Sequence, residues 1–413
     1  MRTYRARILS FENPSSPAEY RYMSVDDEGR IVGLSRGKPA ITGELVDYSE
    51  YLILPGFIDA HIHLPQLHKR AMVSDSLLEW LERYIFPAEM EFSDADFARK
   101  VAREFFSTLI RNGTTTAVVY SSPHRGATEV AFEEAMKSGM RTVIGQVLMD
   151  MNGPEELLTT PERAASDIRA VASRWHGFDG RLFYAVTPRF AVSCSMELMR
   201  TASEVADRMG LYVQTHLSEQ MGEIEEVRKL FPWAKSYTDV YHEAGLLGER
   251  TVVGHAIHLS DRERAILART GTKVAHCPSS NFFLHSGVMD LRAHERLGLT
   301  VALGSDVGAG PFLSMLEVLR DAYYANAMSP AKAFHLLTMG GARALGMEDR
   351  IGSLEVGKEA DFVVINPEPL AEAGEDVEVL LSRLMILGDE RNVAATYVRG
   401  RELWAQHQNE RKG

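Results

Sequence analysis

Residues 53–66 read ILPGFIDAHIHLPQ, and this stretch decides the fold class. An apolar run leads into His61 and His63, which are separated by a single residue. Because side chains alternate along a strand, both imidazoles point to the same side, where two neutral nitrogens can hold one metal ion. A His-x-His triplet also arises by chance, as surface or packed histidines, so the interpretation depends on the surrounding pattern.

The chain between residues 54 and 349 repeats this pattern of a short apolar strand, a polar strand end and a helical segment. Such alternation predicts a parallel sheet covered by helices, and eight strands fit a closed (β/α)8 TIM barrel. The eight predicted strands are ILPGFIDAHIH at 53–63, TTAVVYSS at 115–122, RTVIGQVLMD at 141–150, LFYAVTPRF at 182–190, LYVQTHLSE at 211–219, TVVGHAIHL at 251–259, KVAHCPSSN at 273–281 and TVALGSDVG at 300–308.

The two ends of the chain have a different sequence pattern. Short apolar runs alternate with glycine-marked turns in residues 1–53 and again in residues 350–413, for example in IGSLEVGKEADFVVINP and NVAATYVRGRELW. This pattern is typical of β-hairpins. We therefore expect the two ends to build one small, β-sandwich-like domain beside the barrel domain of residues 54–349.

Composition excludes several classes of protein. The chain has 413 residues, and its 45 Lys and Arg against 57 Asp and Glu give a net charge of −12, which argues against a nucleic-acid polymer as partner. Two cysteines, Cys194 and Cys277, are too few for a disulfide framework and suit a reducing compartment as free thiols. No apolar run is long enough for a signal peptide or a membrane span, so we expect a cytoplasmic protein.

Three further predicted barrel strands end in residue types that commonly bind metal ions. His216 follows the fifth strand, His255 the sixth and Asp306 the eighth. Each alone has an ordinary structural explanation, but active sites of TIM barrels assemble at this end of the strands. The convergence of these residues with His61 and His63 predicts a metal site at the mouth of the barrel.

This set of strand ends resembles the amidohydrolase superfamily, whose pattern is His-x-His on strand one, histidines on strands five and six and an aspartate on strand eight. The resemblance covers nearly the whole chain, including GSLEVGKEADFVVIN at 352–366. The bridging lysine of two-metal members is missing, because the fourth strand ends in TPRF. The resemblance implies one metal ion per chain, with the ligands His61, His63, His216 and Asp306.

The expected ion is zinc, because three imidazoles and one carboxylate suit a borderline-soft cation, although iron and manganese accept similar ligands. The ion would lower the pKa of a bound water toward neutrality, and His255 would orient or stabilise the resulting hydroxide. Deaminases of the superfamily carry a glutamate three residues after the strand-five histidine, and here that residue is Glu219. Glu219 would protonate a ring nitrogen, and Asp306 would take the proton of the water and pass it to the departing amine. Without the histidines, Glu219 would be read as an exposed loop carboxylate.

Three further motifs are similar to members of the superfamily that act on guanine. They are HIHLPQ with Gln66, TPRFAVSC with Arg189 and Phe190, and AHCPSSNFFL at 275–284. An arginine and a primary amide can read the oxygen and the neighbouring ring donor of guanine, while Phe190 stacks on the ring. The ordinary alternatives are a salt bridge for Arg189, a solvated loop for Gln66 and core packing for Phe190.

The segment LLEWLERYIFPAE at 77–89 is similar to the helix that closes over the pocket in these proteins. Trp80 and Tyr84, one helical step apart, would otherwise form an apolar face. The resemblance also implies a homodimer that binds a small purine. The expected reaction is hydrolytic deamination of guanine to xanthine and ammonia.

Other functions stay open at this point. A deaminase of 8-oxoguanine, a pterin or an s-triazine would have the same metal site and a different pocket. A cyclic-amide hydrolase on the same barrel would release no ammonia. A non-catalytic scaffold protein would be expected to lack metal ligands.

Overall fold

The computed structural model describes residues 1–370 and 375–406. Two compact units are present, one of Met1–Asp59, Ser107–Thr116 and Leu313–Gly413, the other of Ala60–Phe106 and Ala117–Phe312. The strands are β1 Arg2–Ser10, β2 Ala18–Val25, β3 Ile31–Ser35, β4 Glu44–Pro55, β5 Phe57–His63, β6 Thr114–Tyr120, β7 Arg141–Gly145, β8 Val147–Leu148, β9 Leu182–Pro188, β10 Tyr212–Leu217, β11 Thr251–His255, β12 Lys273–His276, β13 Val301–Leu303, β14 Phe362–Ile365, β15 Val393–Val398 and β16 Arg401–Ala405.

Helices follow most of the barrel strands and also make up part of the first unit. The α-helices are α1 Leu77–Trp80, α2 Phe86–Met90, α3 Ala95–Arg111, α4 Arg125–Ser138, α5 Pro161–Trp175, α6 Met196–Met209, α7 Met221–Leu230, α8 Tyr237–Glu243, α9 Asp261–Thr270, α10 Pro278–Phe283, α11 Leu291–Arg296, α12 Met315–Ala325, α13 Pro330–His335, α14 Gly341–Ala344 and α15 Val377–Leu387. A π-helical turn, Leu81–Ile85, joins α1 to α2. No helix in the described residues is long and apolar enough to cross a membrane.

The strands from the two chain ends form one mixed sheet of seven strands, in the order β16-β15-β14-β4-β1-β2-β3. β1 and β4 pair in parallel, whereas β4 pairs antiparallel with β14. Tyr4, Phe362 and Tyr397 pack together in the core of this sheet, with the Phe362 and Tyr397 rings stacked 4.4 Å apart. The prediction that strands from the two chain ends come together is confirmed, and they form one mixed sheet.

The second sheet contains all eight strands predicted from the sequence, in the order β13-β12-β11-β10-β9-β7-β6-β5, with the short β8 paired to β9. The pairings from β9 to β13 are parallel. Two hydrogen bonds connect the segment directly after β13 to β5, from Asp306 N to His61 O at 2.8 Å and from His63 N to Val307 O at 2.9 Å. The eight strands thus form a nearly closed barrel, as predicted.

Local sequence explains where the helices of the barrel begin and end. Ser260 and Glu263 make a capping box at the start of α9, and Gly271 ends that helix in the left-handed conformation at φ 73°. Such caps satisfy backbone groups that a helix terminus leaves unpaired. Both cysteines, Cys194 and Cys277, are buried thiols.

Candidate active site

Four histidines and one aspartate meet at the C-terminal ends of the barrel strands. His61 Nε2 lies 3.2 Å from His63 Nε2 and 3.2 Å from Asp306 Oδ1. His216 Nε2 lies 3.2 Å from His63 Nε2, and His255 Nε2 lies 3.8 Å from Asp306 Oδ2. Four of the five residues are buried, and His216 is partly buried. Metal-binding atoms from β5, β10, β11 and the segment after β13 therefore converge on one point.

The outer nitrogens of two of these histidines are held by hydrogen bonds. His216 Nδ1 donates to the carbonyl of Arg189 at 2.6 Å, and His255 Nδ1 donates to Asn281 Oδ1 at 2.9 Å. A ring that donates through Nδ1 presents the lone pair of Nε2 to the centre of the cluster, the arrangement common in metal sites. Nε2 of His255 is buried without a hydrogen-bond partner among the described residues.

The donor set fits a metal cation. One ligand atom from each of His61, His216, His255 and Asp306 lies within 4.8 Å of every other, and His63 stands beside them. Burial lowers the pKa of His61 to about 4 and that of His216 well below its usual value, so both rings are neutral. Burial opposes ionisation of Asp306, but its hydrogen bonds to His61 and His63 outweigh burial and hold its pKa well below the usual range. Neutral imidazoles and an ionised carboxylate are the forms that bind metal.

Two glycines make room for His61. A Cβ atom on Gly254 of β11 would lie 2.6 Å from His61 Cε1, and one on Gly304 would lie 2.7 Å from His61 Cβ. Both distances are far inside van der Waals contact. The ring of His61 can occupy its place only because these two positions lack a side chain.

Three residues at or just after the strand ends adopt a left-handed backbone. Ser218, His255 and Asp306 have φ angles of 49°, 66° and 50°. Residues other than glycine rarely adopt this conformation, and such strain concentrates at functional sites. The mouth of the barrel therefore carries backbone strain where the predicted catalytic residues lie.

Glu219 is buried beside the cluster rather than exposed on a loop. Its Oε2 lies 3.4 Å from His255 Nε2, and its Oε1 accepts a hydrogen bond from Ser286 Oγ at 3.4 Å. Burial, the largest effect, raises the pKa of Glu219 to about 8. Burial therefore favours the protonated carboxyl group, which can act as a proton donor.

A pocket with an empty volume of about 370 Å³ opens onto this cluster. It brings together the residues predicted to bind metal, to move protons and to bind substrate. The lining residues are His63, Gln66, Leu77, Trp80, Leu81, Arg189, Phe190, His216, Glu219, Leu284, Asp306 and Ala309.

The polar pocket residues have defined orientations. Gln66 Oε1 accepts a hydrogen bond from Gly308 N at 3.1 Å, which leaves the amide NH2 group for a ligand. Arg189 Nη1 contacts both carboxylate oxygens of Glu89, at 2.8 and 2.7 Å. The salt-bridge alternative for Arg189 is therefore realised, and Arg189 still lines the pocket.

Sequence reasoning missed Glu89, although the residue ends the quoted motif LLEWLERYIFPAE. The signal available in the sequence was an acidic residue at the end of a segment that is similar to the closing helix. Trp80 from the same motif lines the pocket, and its Nε1 donates to Met72 O at 2.8 Å. Tyr84 instead donates from its hydroxyl to Val73 O at 3.3 Å.

The sequence model described as the amidohydrolase family matches residues 52–403. The curated guanine deaminase of Escherichia coli K12 is 40% identical over 373 residues, which cover 87% of this chain and 85% of that protein. A solved structure of E. coli guanine deaminase superposes with a TM-score of 0.94 at 35% identity, covering 98% of this chain and 100% of that one. A guanine deaminase from C. acetobutylicum with guanine bound in the active site superposes with a TM-score of 0.93 at 31% identity, covering 98% of this chain and 100% of that one.

Proposed function

The chain belongs to the amidohydrolase family, and on that premise we propose that it hydrolyses guanine to xanthine and ammonia. One observation carries this proposal: a single pocket joins the histidine and aspartate cluster to Glu219 and to the pair Gln66 and Arg189. The cluster supplies a place for hydrolytic chemistry, and the pair supplies polar groups that can read a purine edge.

We assign His61, His63, His216 and Asp306 as the residues that hold one divalent metal ion per chain. Their neutral imidazoles and ionised carboxylate favour zinc, while iron and manganese accept the same donors. When bound, such an ion lowers the pKa of a water molecule and so supplies the nucleophile. His255 faces the same centre through Nε2, which lies 3.4 Å from Glu219 Oε2 and 3.8 Å from Asp306 Oδ2, and it orients the attacking water.

Two carboxyl groups, those of Glu219 and Asp306, carry out the proton transfers. Attack of water on carbon 2 of guanine builds electron density on the adjacent ring nitrogen, which the protonated Glu219 neutralises by donating its proton. Asp306 is ionised and takes a proton from the attacking water. That proton then passes to the amine, the bond from carbon 2 to nitrogen breaks, and ammonia leaves. The carbonyl of xanthine forms as the remaining hydroxyl proton passes to Glu219, which restores its protonated carboxyl group.

Recognition of the ring belongs to Gln66, Arg189 and Phe190. The guanidinium of Arg189 and the NH2 group of Gln66 donate to the oxygen on carbon 6 of guanine. Phe190 is buried at the pocket wall and offers its ring for stacking. Adenine presents a donor amine on carbon 6, so the same donors would face it unpaired.

The assembly and location of the protein are part of the same proposal. The resemblance implies a homodimer, which sedimentation analysis of the purified chain tests. A reducing compartment such as the cytoplasm suits two buried cysteine thiols. The domain boundaries, 1–53 with 350–413 and 54–349, also stay a proposal.

The decisive experiment combines metal analysis with an ammonia-release screen over guanine, 8-oxoguanine, cytosine, adenosine and pterins. We expect fast ammonia release from guanine and about one zinc per chain. Preference for a pterin or 8-oxoguanine by a wide margin would contradict the substrate but leave a deaminase. Hydrolysis without ammonia release would contradict deamination itself.

A further inference from the structure

Glu89 and Arg189 form an ion pair with almost no access to solvent. Their side chains are 1% and 3% exposed, and both contacts use Nη1 of the guanidinium. The ring of Phe86, one turn earlier on α2, lies 5.4 Å from the guanidinium carbon. The same short helix therefore holds Arg189 through a carboxylate and through an aromatic ring.

This pairing leaves a defined part of the guanidinium for a ligand. Within the described residues, no hydrogen bond engages Nε or Nη2 of Arg189, and the residue lines the pocket. A lone arginine side chain loses much conformational freedom when it binds, and a fixed one loses less. Glu89 thus holds the Nε and Nη2 donors of Arg189 in a fixed position before a ligand binds.

The carboxylate also sets the charge of the pocket wall. A buried guanidinium without a counter-charge attracts anions strongly, whereas one neutralised by Glu89 recognises a neutral carbonyl by hydrogen bonds. This difference matters because substrate and product differ in acidity. Xanthine has a second ring carbonyl, on carbon 2, and loses a ring N–H proton more readily than guanine does.

We propose that Glu89 is a positioning and specificity-determining residue, which fixes and neutralises Arg189 so that the pocket favours neutral guanine over anionic purines such as ionised xanthine. The inference rests on the proposed function for the identity of the ligands. It assigns Glu89 no contact with the reacting atoms. Glu89 acts through Arg189. Because ionised xanthine would bind weakly, we expect weak inhibition by the product.

The test is Glu89→Gln, which removes the charge and nearly preserves the shape. Xanthine binding is measured by calorimetry at mildly alkaline pH, and guanine turnover is measured alongside. We expect xanthine to bind about tenfold tighter than to the native protein, since one buried charge is no longer compensated. KM for guanine should rise about tenfold or more with a much smaller change in kcat, because the lost interaction positions the ground state and the transition state alike. Metal content should not change.

Two further variants make the result specific. Glu89→Asp keeps the charge but shortens the side chain, so KM should rise while the affinity for xanthine stays at the native value. Glu134→Gln is the matched control, because Glu134 is also a buried carboxylate, 3% exposed and paired with Arg99 and Lys137 at 3.0 and 2.7 Å. It lies outside the pocket, and both readouts should stay native.

Native KM and native xanthine affinity in Glu89→Gln would overturn the proposal. Tight xanthine binding in Glu89→Asp, equal to that in Glu89→Gln, would also overturn it. If Glu89→Gln does not fold, Glu89→Asp decides alone: a native KM contradicts the positioning role. Failure of the native protein to release ammonia from guanine would instead contradict the proposed function, and the comparison of xanthine affinities would still test the charge effect.

Discussion

The carbonyl oxygen of Arg189 accepts the Nδ1–H of His216 at 2.6 Å, while the guanidinium of the same residue lines the pocket. One residue therefore orients an imidazole of the cluster with its backbone and lines the pocket with its side chain. The two roles can be separated by mutation, because a change of side chain leaves the carbonyl in place.

Arg189→Ala should keep the metal and lose guanine turnover. Loss of hydrogen bonds from a charged donor costs ~1.5–3 kcal/mol, so kcat/KM for guanine should fall roughly 10- to 150-fold. The unpaired Glu89 also destabilises the fold, and assays belong well below the melting temperature. Arg208→Ala changes an exposed arginine and serves as the control. Native catalytic efficiency in Arg189→Ala would remove Arg189 from substrate recognition.

His216→Ala and His61→Ala should each abolish activity together with bound metal, because three remaining ligands hold zinc poorly. Metal analysis of the dialysed proteins measures the loss. His242→Ala, an exposed histidine on α8, should keep both metal and activity. A ratio of two metals per chain in the native protein would refute the assignment of a single ion.

Glu219→Gln should retain the metal and lower kcat by roughly two to four orders of magnitude, since an amide of the same shape cannot donate a proton to the ring nitrogen. Glu225→Gln, on the exposed side of α7, provides the control for the same chemical change. Turnover at the native rate would mean that the Glu219 carboxyl has only a structural part.

Gly254→Ala should displace His61 and weaken metal binding, because the new Cβ would lie 2.6 Å from His61 Cε1. Gly248→Ala adds the same methyl group where no atom lies within 4 Å and should behave like the native protein. Metal content and guanine turnover of the two variants give the comparison. Equal metal content in both would show that the site tolerates movement of His61.

The thiol of Cys194 should not react in the folded protein. Burial raises its pKa to about 12, so at pH 8 almost none of it is the reactive thiolate. A thiol-specific reagent should modify Cys194 only after denaturant is added, as mass spectrometry of a tryptic digest can show. Rapid labelling under native conditions would mean that the segment around β9 opens readily.

Sequence alone predicts the barrel and most of the site because both depend on local patterns. Each strand is recognisable in the sequence as an apolar run, and these runs end at or near His61, His216 and Asp306. Barrel closure then brings residues distant in the chain to the same end. The sequence likewise predicts one β-domain from both chain ends, and the structure shows it as a single mixed sheet.

Long-range contacts could not be predicted in this way. The pair Glu89 and Arg189 joins residues 100 positions apart, and no periodicity links them. The hydrogen bond from His255 to Asn281 depends likewise on how β11 and α10 meet. The parallel register of β1 on β4 is set by pairing across the sheet rather than by either strand alone.

The mixed sheet has a consequence for synthesis on the ribosome. β4 lies between β1 and β14, and β14 is translated only after the entire barrel. Until then β4 is an edge strand, and its apolar end, residues 52–55, has unpaired backbone groups beside it. An exposed apolar edge invites pairing with other nascent chains. Expression at low temperature or with a chaperone that shields extended segments should therefore raise the yield of native protein, and early termination before residue 362 should yield aggregates.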